Sequence, residues 1–290
     1  MTDAAEPVEA SERGVEPGRL YVCAVPIGNL EDASPHLVRV LGAVDAVACE
    51  DTRTTGRLLE LIGVSSKPRL LAHHDHNERA SAEGIVALLR EGAAVALVSD
   101  AGTPAVSDPG AVLVDAVLAA GFAVEPVAGP SALAAAMSVS GIVSATCFRF
   151  VGFMPRKAGE VERLLRAGAH EVLVAYEAPT RLVTTLVMVA EHAPERGVVV
   201  CRELTKRHGE VVRGTAAELL ELWRDEVVRG EVVLVFDAEP AVASTGVDAR
   251  HVALVEAMAQ AGVRSKEAAR IVAAQLGGSA RELYEALHGH

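Results

Sequence analysis

Four short segments carry the residue types that chemistry needs. They are Pro26-Ile27-Gly28-Asn29-Leu30, Glu50-Asp51-Thr52-Arg53, Ser99-Asp100-Ala101-Gly102-Thr103-Pro104 and Gly129-Pro130-Ser131. Each follows an apolar, Val-rich run, so each reads as a loop at the carboxyl end of a buried strand. The run Val95–Val98 ahead of Ser99 is the clearest case. In open α/β sheets, ligands bind in the crevice outside those strand ends. One such loop is ordinary turn chemistry; four at one edge make a small-molecule site the default reading.

The groups on offer narrow the ligand. Neither G-x-G-x-x-G nor G-x-x-x-x-G-K-[ST] is present, which disfavours a dinucleotide fold and a P-loop. The Gly-bearing loops hold no basic residue for phosphates. They offer carboxylates, hydroxyls and backbone amides instead. Gly129-Pro130-Ser131 opens a helix, whose first N–H groups suit a carboxylate. S-adenosylmethionine presents a ribose, an adenine, an amine, a carboxylate and a positive sulfonium to such a set.

The elements that must position these loops alternate along the chain. Strands are expected at Leu20–Val25, Ala43–Cys49, Arg69–Ala72, Ala94–Val98 and Phe122–Val127. Helices are expected at Pro35–Leu41, Thr54–Leu61, Ala80–Glu91, Val112–Ala120 and Ala132–Val139. This rhythm implies a mainly parallel sheet with right-handed crossovers. A second block has strands at Phe148–Phe153, Val172–Glu177, Val198–Arg202, Glu210–Arg213 and Val232–Asp237, with helices at Val161–Ala167, Thr180–His192 and Ala216–Val228. Its late strands crowd together over short turns, the mark of a mixed sheet with antiparallel pairs. Two or three helices close the chain, at about Asp248–Ala261, Ser265–Leu276 and Ser279–Leu287, with Ser279 and Glu282 spaced as a capping box. The expected organisation is α/β: a disordered tail over 1–17, an α/β domain over 18–128, a second over 129–238, a linker over 239–247 and a small helical domain over 248–290.

Composition sets the outer bounds. Half of the 290 residues are hydrophobic and only 3% are aromatic, which suits Val-rich strands under Ala/Leu helices. No apolar stretch approaches the roughly 18 residues that span a bilayer. The acidic start lacks the apolar segment of a signal peptide, so a cytoplasmic protein is expected. Cys23, Cys49, Cys147 and Cys201 are scattered and form no C-x-x-C pair. The net charge of −12 argues against indiscriminate nucleic-acid binding, yet residues 145–215 carry eleven Lys/Arg against eight Asp/Glu.

The segments appear in a telling order. The four loops, with Ala132 extending the last, are followed by Gly152-Phe-Met-Pro-Arg156, Tyr176-Glu177 with Arg181-Leu182, and Arg202-Glu-Leu-Thr-Lys206. Over residues 18–238 this set resembles the ribosomal RNA small subunit methyltransferase I family, of the tetrapyrrole methylase fold. Arg264-Ser-Lys-Glu267 and Arg281-Glu-Leu-Tyr284 resemble that family's C-terminal helical domain. The resemblance implies two α/β domains with S-adenosylmethionine in the cleft, a homodimer, and methylation of a cytidine 2′-hydroxyl in 16S ribosomal RNA of the small subunit. Carried over by motif, the cofactor contacts are Pro26, Ile27, Gly28, Asp100, Ala101, Gly102, Thr103, Pro104, Ser131, Ala132, Tyr176 and Leu204.

A ribose hydroxyl is a poor nucleophile until its proton starts to leave, so a general base is sought. The candidates are Lys206, if desolvation lowers its pKa, and Glu50 or Asp51. Their plainer roles are a phosphate contact for Lys206 and pairing of the two carboxylates with Arg53. Basic residues beside the cleft would grip RNA phosphates, chiefly Arg53, Arg156, Lys157, Arg202 and Arg207. No metal is expected: His73-His74-Asp75-His76 has no second ligand cluster and reads as a polar loop. Two other readings stay open, a corrin or porphyrin methylase and a noncatalytic ribosome-assembly factor.

Overall fold

The computed structural model describes residues 14–143, 147–224, 226–239, 249–276 and 278–288. They fall into two compact units. One runs to Ala167 and resumes over Val172–Asp237; the other comprises Gly168–Glu171 and Ala238–His290. The expected tail up to residue 13 and the expected linker from residue 240 lie outside the described residues. Residues 14–17 differ from a free tail. The Glu16 N–H donates to the Tyr21 hydroxyl at 2.7 Å, and the Glu16 carboxylate pairs with Arg19 at 2.5 Å.

The first sheet contains β1 (Arg19–Cys23), β2 (Ala46–Cys49), β3 (Arg69–Ala72), β4 (Val95–Val98) and β5 (Ala123–Val127), in the order β3-β2-β4-β1-β5. Every pairing is parallel. Strands β2 and β4 are buried at every position, as expected of strands covered on both faces. Alternation sorts their side chains: Tyr21, Val47 and Ala96 join one core with α1 (Pro35–Ala43) and α2 (Thr52–Leu61). Leu20, Ala46 and Val95 join the other with α3 (Glu78–Arg90) and α4 (Ala111–Ala119). Helix α2 begins two residues before the expected Thr54, because the Asp51 carboxylate accepts the Arg53 N–H at 2.8 Å and caps it there. The chain leaves β1 towards β2 but leaves β4 towards β5. Winding therefore reverses between the adjacent strands β1 and β4, a topological switch point.

Helix α5 (Ala132–Ser140) precedes the second sheet and packs on two of its strands, β8 and β10. That sheet contains β6 (Phe148–Phe153), β7 (Val172–Glu177), β8 (Gly197–Arg202), β9 (Glu210–Thr215) and β10 (Val232–Phe236), in the order β6-β7-β10-β8-β9. Only β6 and β7 run parallel, so the sheet is mixed. Helices α6 (Ala158–Ala167), α7 (Leu182–His192) and α8 (Ala216–Trp223) cover one face around Leu173, Leu186, Trp223, Leu234 and Phe236. A capping box between Thr215 and Glu218 fixes the start of α8. The helix stops at Trp223, short of the expected Val228, because the chain must turn through Gly230 (φ 89°) into β10.

In the second unit α9 (Ala249–Gln260), α10 (Ser265–Leu276) and α11 (Ala280–His288) close on Val255, Ala268, Ala269, Val272 and Leu283. Ser279 accepts the Glu282 N–H at 3.3 Å, the forward half of the expected capping box. No helix among the described residues is long and apolar enough to cross a membrane.

Candidate active site

A cavity of about 490 Å³ opens at the switch point. The loop after β1 gives it Ile27, and Glu50 comes from the loop after β2. The loop after β4 contributes most, with Asp100–Thr103 and Val106–Asp108. Ser131 and Ala132 enter at the start of α5, which has no side-chain cap. The second sheet supplies Phe153, Tyr176–Pro179 and Gly230–Val233. Among the described residues no Lys, Arg or His lines the cavity, while Glu50, Asp100, Asp108, Glu177 and Glu231 all do.

Hydrogen bonds stitch the loops together. Val25 and Gly102 exchange backbone bonds of 2.8 and 3.2 Å, joining the β1 and β4 loops. The Asp51 N–H donates to Asp100 at 3.3 Å, and the Thr103 hydroxyl donates to the Pro130 carbonyl at 3.1 Å. From the turn after β8, the Thr205 hydroxyl donates to the Ile27 carbonyl at 3.1 Å. Ala105 and Ser107 are non-glycine residues at φ 65° and 63°, a left-handed backbone that costs energy and concentrates at functional loops.

Ile27, Asp100, Ala101, Gly102, Thr103, Ser131, Ala132 and Tyr176 therefore meet in one cavity; Pro26, Gly28, Pro104 and Leu204 do not line it. Pro26 and Pro104 are buried beneath the loops. Gly28, at φ 127°, seats the Lys206 side chain: an added Cβ would lie 2.3 Å from Lys206 Cε. Its bare α-carbon serves that approach rather than the cavity.

The base candidates separate on electrostatics. Burial works to lower the Lys206 pKa, but its ion pairs with Glu203 at 2.6 Å and Glu231 at 3.6 Å win and raise it. The condition set for Lys206 as a base, a pKa lowered by desolvation, is therefore not met; the group is a firmly held cation. Asp51 is held down to about 2 by its hydrogen bonds from Arg53 and serves as the α2 cap. Burial, then the charges of Asp100 and Asp75, push Glu50 up. Burial also raises Asp100, with the Asp51 N–H opposing. Asp108 moves furthest: burial, reinforced by Glu50, pushes it up to about 6. It was not among the sequence candidates, although Ser107-Asp108-Pro109-Gly110 repeats the acid-then-turn pattern of Ser99–Pro104.

Glu177 is a framework carboxylate. It is buried, accepts from the Thr185 hydroxyl and the Ala178 N–H, and pairs with Arg181 at 3.1 Å. Arg181 also donates to the carbonyls of Met154 and Pro155 at 3.2 and 2.8 Å, clamping the end of β6 to β7.

The basic candidates differ in availability. Arg156 and Arg207 are exposed and make no ion pair among the described residues. Lys157 is exposed and loosely paired with Glu160 at 3.4 Å. Arg53 is exposed but bonded to Asp51 at 2.8 Å. Arg202 is mostly buried, tied to Glu210 at 2.5 Å and to the Arg229 carbonyl at 3.2 Å, and so belongs to the sheet. His73 is buried with neither ring nitrogen hydrogen-bonded, its Nε2 lies 3.9 Å from the Glu78 carboxylate, and burial lowers its pKa. Among the described residues no group of three or more His, Cys, Asp or Glu is placed to hold a metal ion.

Residues 19–220 match the family model of tetrapyrrole (corrin/porphyrin) methylases. The chain is 37% identical over 280 residues to the ribosomal RNA small subunit methyltransferase I of Halalkalibacterium halodurans, covering 93% of this chain and 95% of that one. To the protein of the same name from Mycobacterium tuberculosis it is 38% identical over 275 residues, covering 93% and 94%. Two solved structures share the fold at 18% identity. The methyltransferase CobJ matches with a TM-score of 0.58 over 79% of this chain and 97% of its own. A uroporphyrin-III C-methyltransferase from Thermus thermophilus matches with 0.55 over 76% and 97%.

Proposed function

The chain belongs to the ribosomal RNA small subunit methyltransferase I family, and on that premise we propose that it methylates the 2′-hydroxyl of a cytidine in 16S ribosomal RNA, using S-adenosylmethionine. The observation that carries the cofactor reading is the cavity wall, rich in carboxylates and, among the described residues, without a cationic side chain. Such a wall suits a compact cation and repels polyphosphates. When bound, S-adenosylmethionine supplies an electrophilic methyl group on a positively charged sulfur. Asp100 and Glu50 would hold its positive groups, Ser131 and Ala132 at the start of α5 its carboxylate, and Ile27, Val106 and Val232 its apolar surface.

Asp108 is the proton acceptor in this reading. It lines the cavity, is partly buried, and ionises near 6, so at neutral pH it is a carboxylate still basic enough to take a proton. Asp108 would take the ribose O–H proton as that oxygen receives the methyl group, the sulfur–methyl bond breaking to leave neutral S-adenosylhomocysteine, and Asp108 would then return the proton to water. Lys206 stays protonated and braces the turn after β8. Arg156, Lys157 and Arg207 lie on the exposed surface, where phosphates can reach them. The protein works in the cytoplasm as a homodimer.

The test is direct. Small ribosomal subunits lacking 2′-O-methyl groups are incubated with the protein and isotopically labelled S-adenosylmethionine, and RNA fragments are mapped by mass spectrometry. A single labelled cytidine ribose is expected. Label on a base, or none, overturns the reading.

A further inference from the structure

Phe153 is placed against the ordinary logic of its strand. Phe148 pairs with Val172 and Phe150 with Val174, so regular alternation would set Gly152 opposite Tyr176. The register shifts instead, and Phe153 stands opposite Tyr176. One extra residue in β6 is a β-bulge, a device that re-aims a side chain beside a site. Gly152 makes it possible with φ 71°, and a Cβ there would lie 3.4 Å from Ser107 Oγ, next to Asp108.

The re-aimed ring is fixed and yet open. The Met154 N–H donates to the Tyr176 carbonyl at 2.9 Å, and Arg181 clamps the two carbonyls that follow Phe153. Phe153 meets Tyr176 edge-on, with ring centroids 5.7 Å apart. It lines the cavity but stays 56% exposed, in a chain with only five Phe, three Tyr and one Trp. A rigid aromatic half in water at the mouth of an acidic cavity suits a flat, uncharged π-system, and single-stranded RNA presents one in each unstacked base. We propose that Phe153 is the stacking platform for the base of the nucleotide whose ribose is methylated. This inference rests on the RNA methyltransferase reading above. The cofactor's adenine is the less suitable occupant, because a ring so exposed lies at the mouth rather than in the enclosed part of the cavity.

Two measurements test it. In the first, Phe153→Ala and Phe153→Leu lose roughly 5- to 150-fold in kcat/KM for small subunits, the range of one lost base stack. Phe153→Tyr stays within about 3-fold, and calorimetric affinity for S-adenosylmethionine stays within about 2-fold in all three. Full activity in Phe153→Leu, or equal losses in cofactor affinity and kcat/KM, overturns the proposal. In the second, a cytidine-containing oligoribonucleotide and its abasic analogue compete for the protein bound to S-adenosylhomocysteine. Wild type prefers the oligonucleotide with bases, and Phe153→Ala abolishes the preference. No preference in wild type overturns the platform even if methylation is found. A preference without methylation leaves the platform standing and overturns the reaction.

Discussion

Two sheets wall the same cavity by different means. Every residue from the first sheet sits in a loop beyond the carboxyl end of a parallel strand, from Ile27 through Asp108. The second sheet gives a bulged residue, Phe153, a strand residue, Tyr176, and the amino-terminal end of β10 with the turn before it, Gly230–Val233. The charges divide only in part. Glu50, Asp100 and Asp108 come from first-sheet loops; the second sheet adds Glu177, which is tied to Arg181, and Glu231, and it alone brings aromatic rings, with the exposed Arg156 and Lys157 following Phe153 in the chain. A parallel sheet gathers its loops at one edge by topology alone. A mixed sheet reaches the same place only through local irregularity. On the proposed function, the first sheet holds the cofactor and takes the proton, and the second shapes the entrance for RNA.

The largest effect that would break this division is in the β4 loop. Asp108→Asn keeps the shape and removes the proton acceptor. We expect kcat on small subunits to fall about 100- to 10,000-fold, with S-adenosylmethionine affinity within a few-fold of wild type. Wild-type activity should rise with pH through about 6 as Asp108 ionises, and that limb should vanish from any residual activity of the variant. A limb near 6 that persists in Asp108→Asn assigns the ionisation elsewhere. Asp100→Ala should act differently, weakening the cofactor roughly 10-fold while saturating cofactor restores much of the rate. Lost turnover at unchanged cofactor affinity would exchange the roles of Asp100 and Asp108.

The same contrast explains what was legible in the sequence. Apolar runs ending in Gly, Pro and polar residues place four first-sheet loops at one edge, and Ile27, Glu50, Asp100–Thr103 and Ser131 meet there. The fold class was equally readable, since alternation of strand and helix dictates a parallel sheet. Asp108 was hidden, because nothing local shows that the strained backbone at Ala105 and Ser107 turns the chain back into the cavity. The role of Phe153 is equally invisible in the sequence, because a bulge leaves no periodic trace beyond Gly152. The charge state of Lys206 was open in the sequence: Glu203, three residues before it, is legible as a partner, whereas Glu231 lies twenty-five residues away and only pairing of β8 with β10 brings it near. Gly28 drew attention as a ligand contact, yet its partner is a side chain from the other sheet.

A smaller effect tests the second sheet's share. Arg156→Glu with Lys157→Glu should weaken small-subunit binding several-fold at moderate ionic strength and flatten its salt dependence, because two phosphate contacts are lost. Cofactor affinity should not move, as neither residue lines the cavity. Unchanged subunit binding and an unchanged salt slope would remove this surface from the RNA path.

The smallest effects concern stability, and the two sheets should give opposite signs. Asp108 binds its proton more tightly when folded, at about 6 against an ordinary 3.8. Stability is therefore lost as pH rises between those values and stays lower above them, by at most about 3 kcal/mol. Asp108→Asn should match wild type at pH 4 and be more stable at pH 8. Glu203, in the turn after β8, is the reverse case. Burial works to raise its pKa, but Lys206 and the Glu231 N–H, bonded at 2.6 and 2.9 Å, lower it overall. Its contribution is present above its unfolded pKa and fades as pH falls through the depressed folded value. Glu203→Gln should cost about 1 kcal/mol at pH 8 and less in acid. Urea unfolding of both variants at pH 4 and pH 8 measures the two signs together. If Asp108→Asn were destabilised at pH 8 like Glu203→Gln, its carboxylate would be a framework group, and the division of labour between the sheets would fail at its central residue.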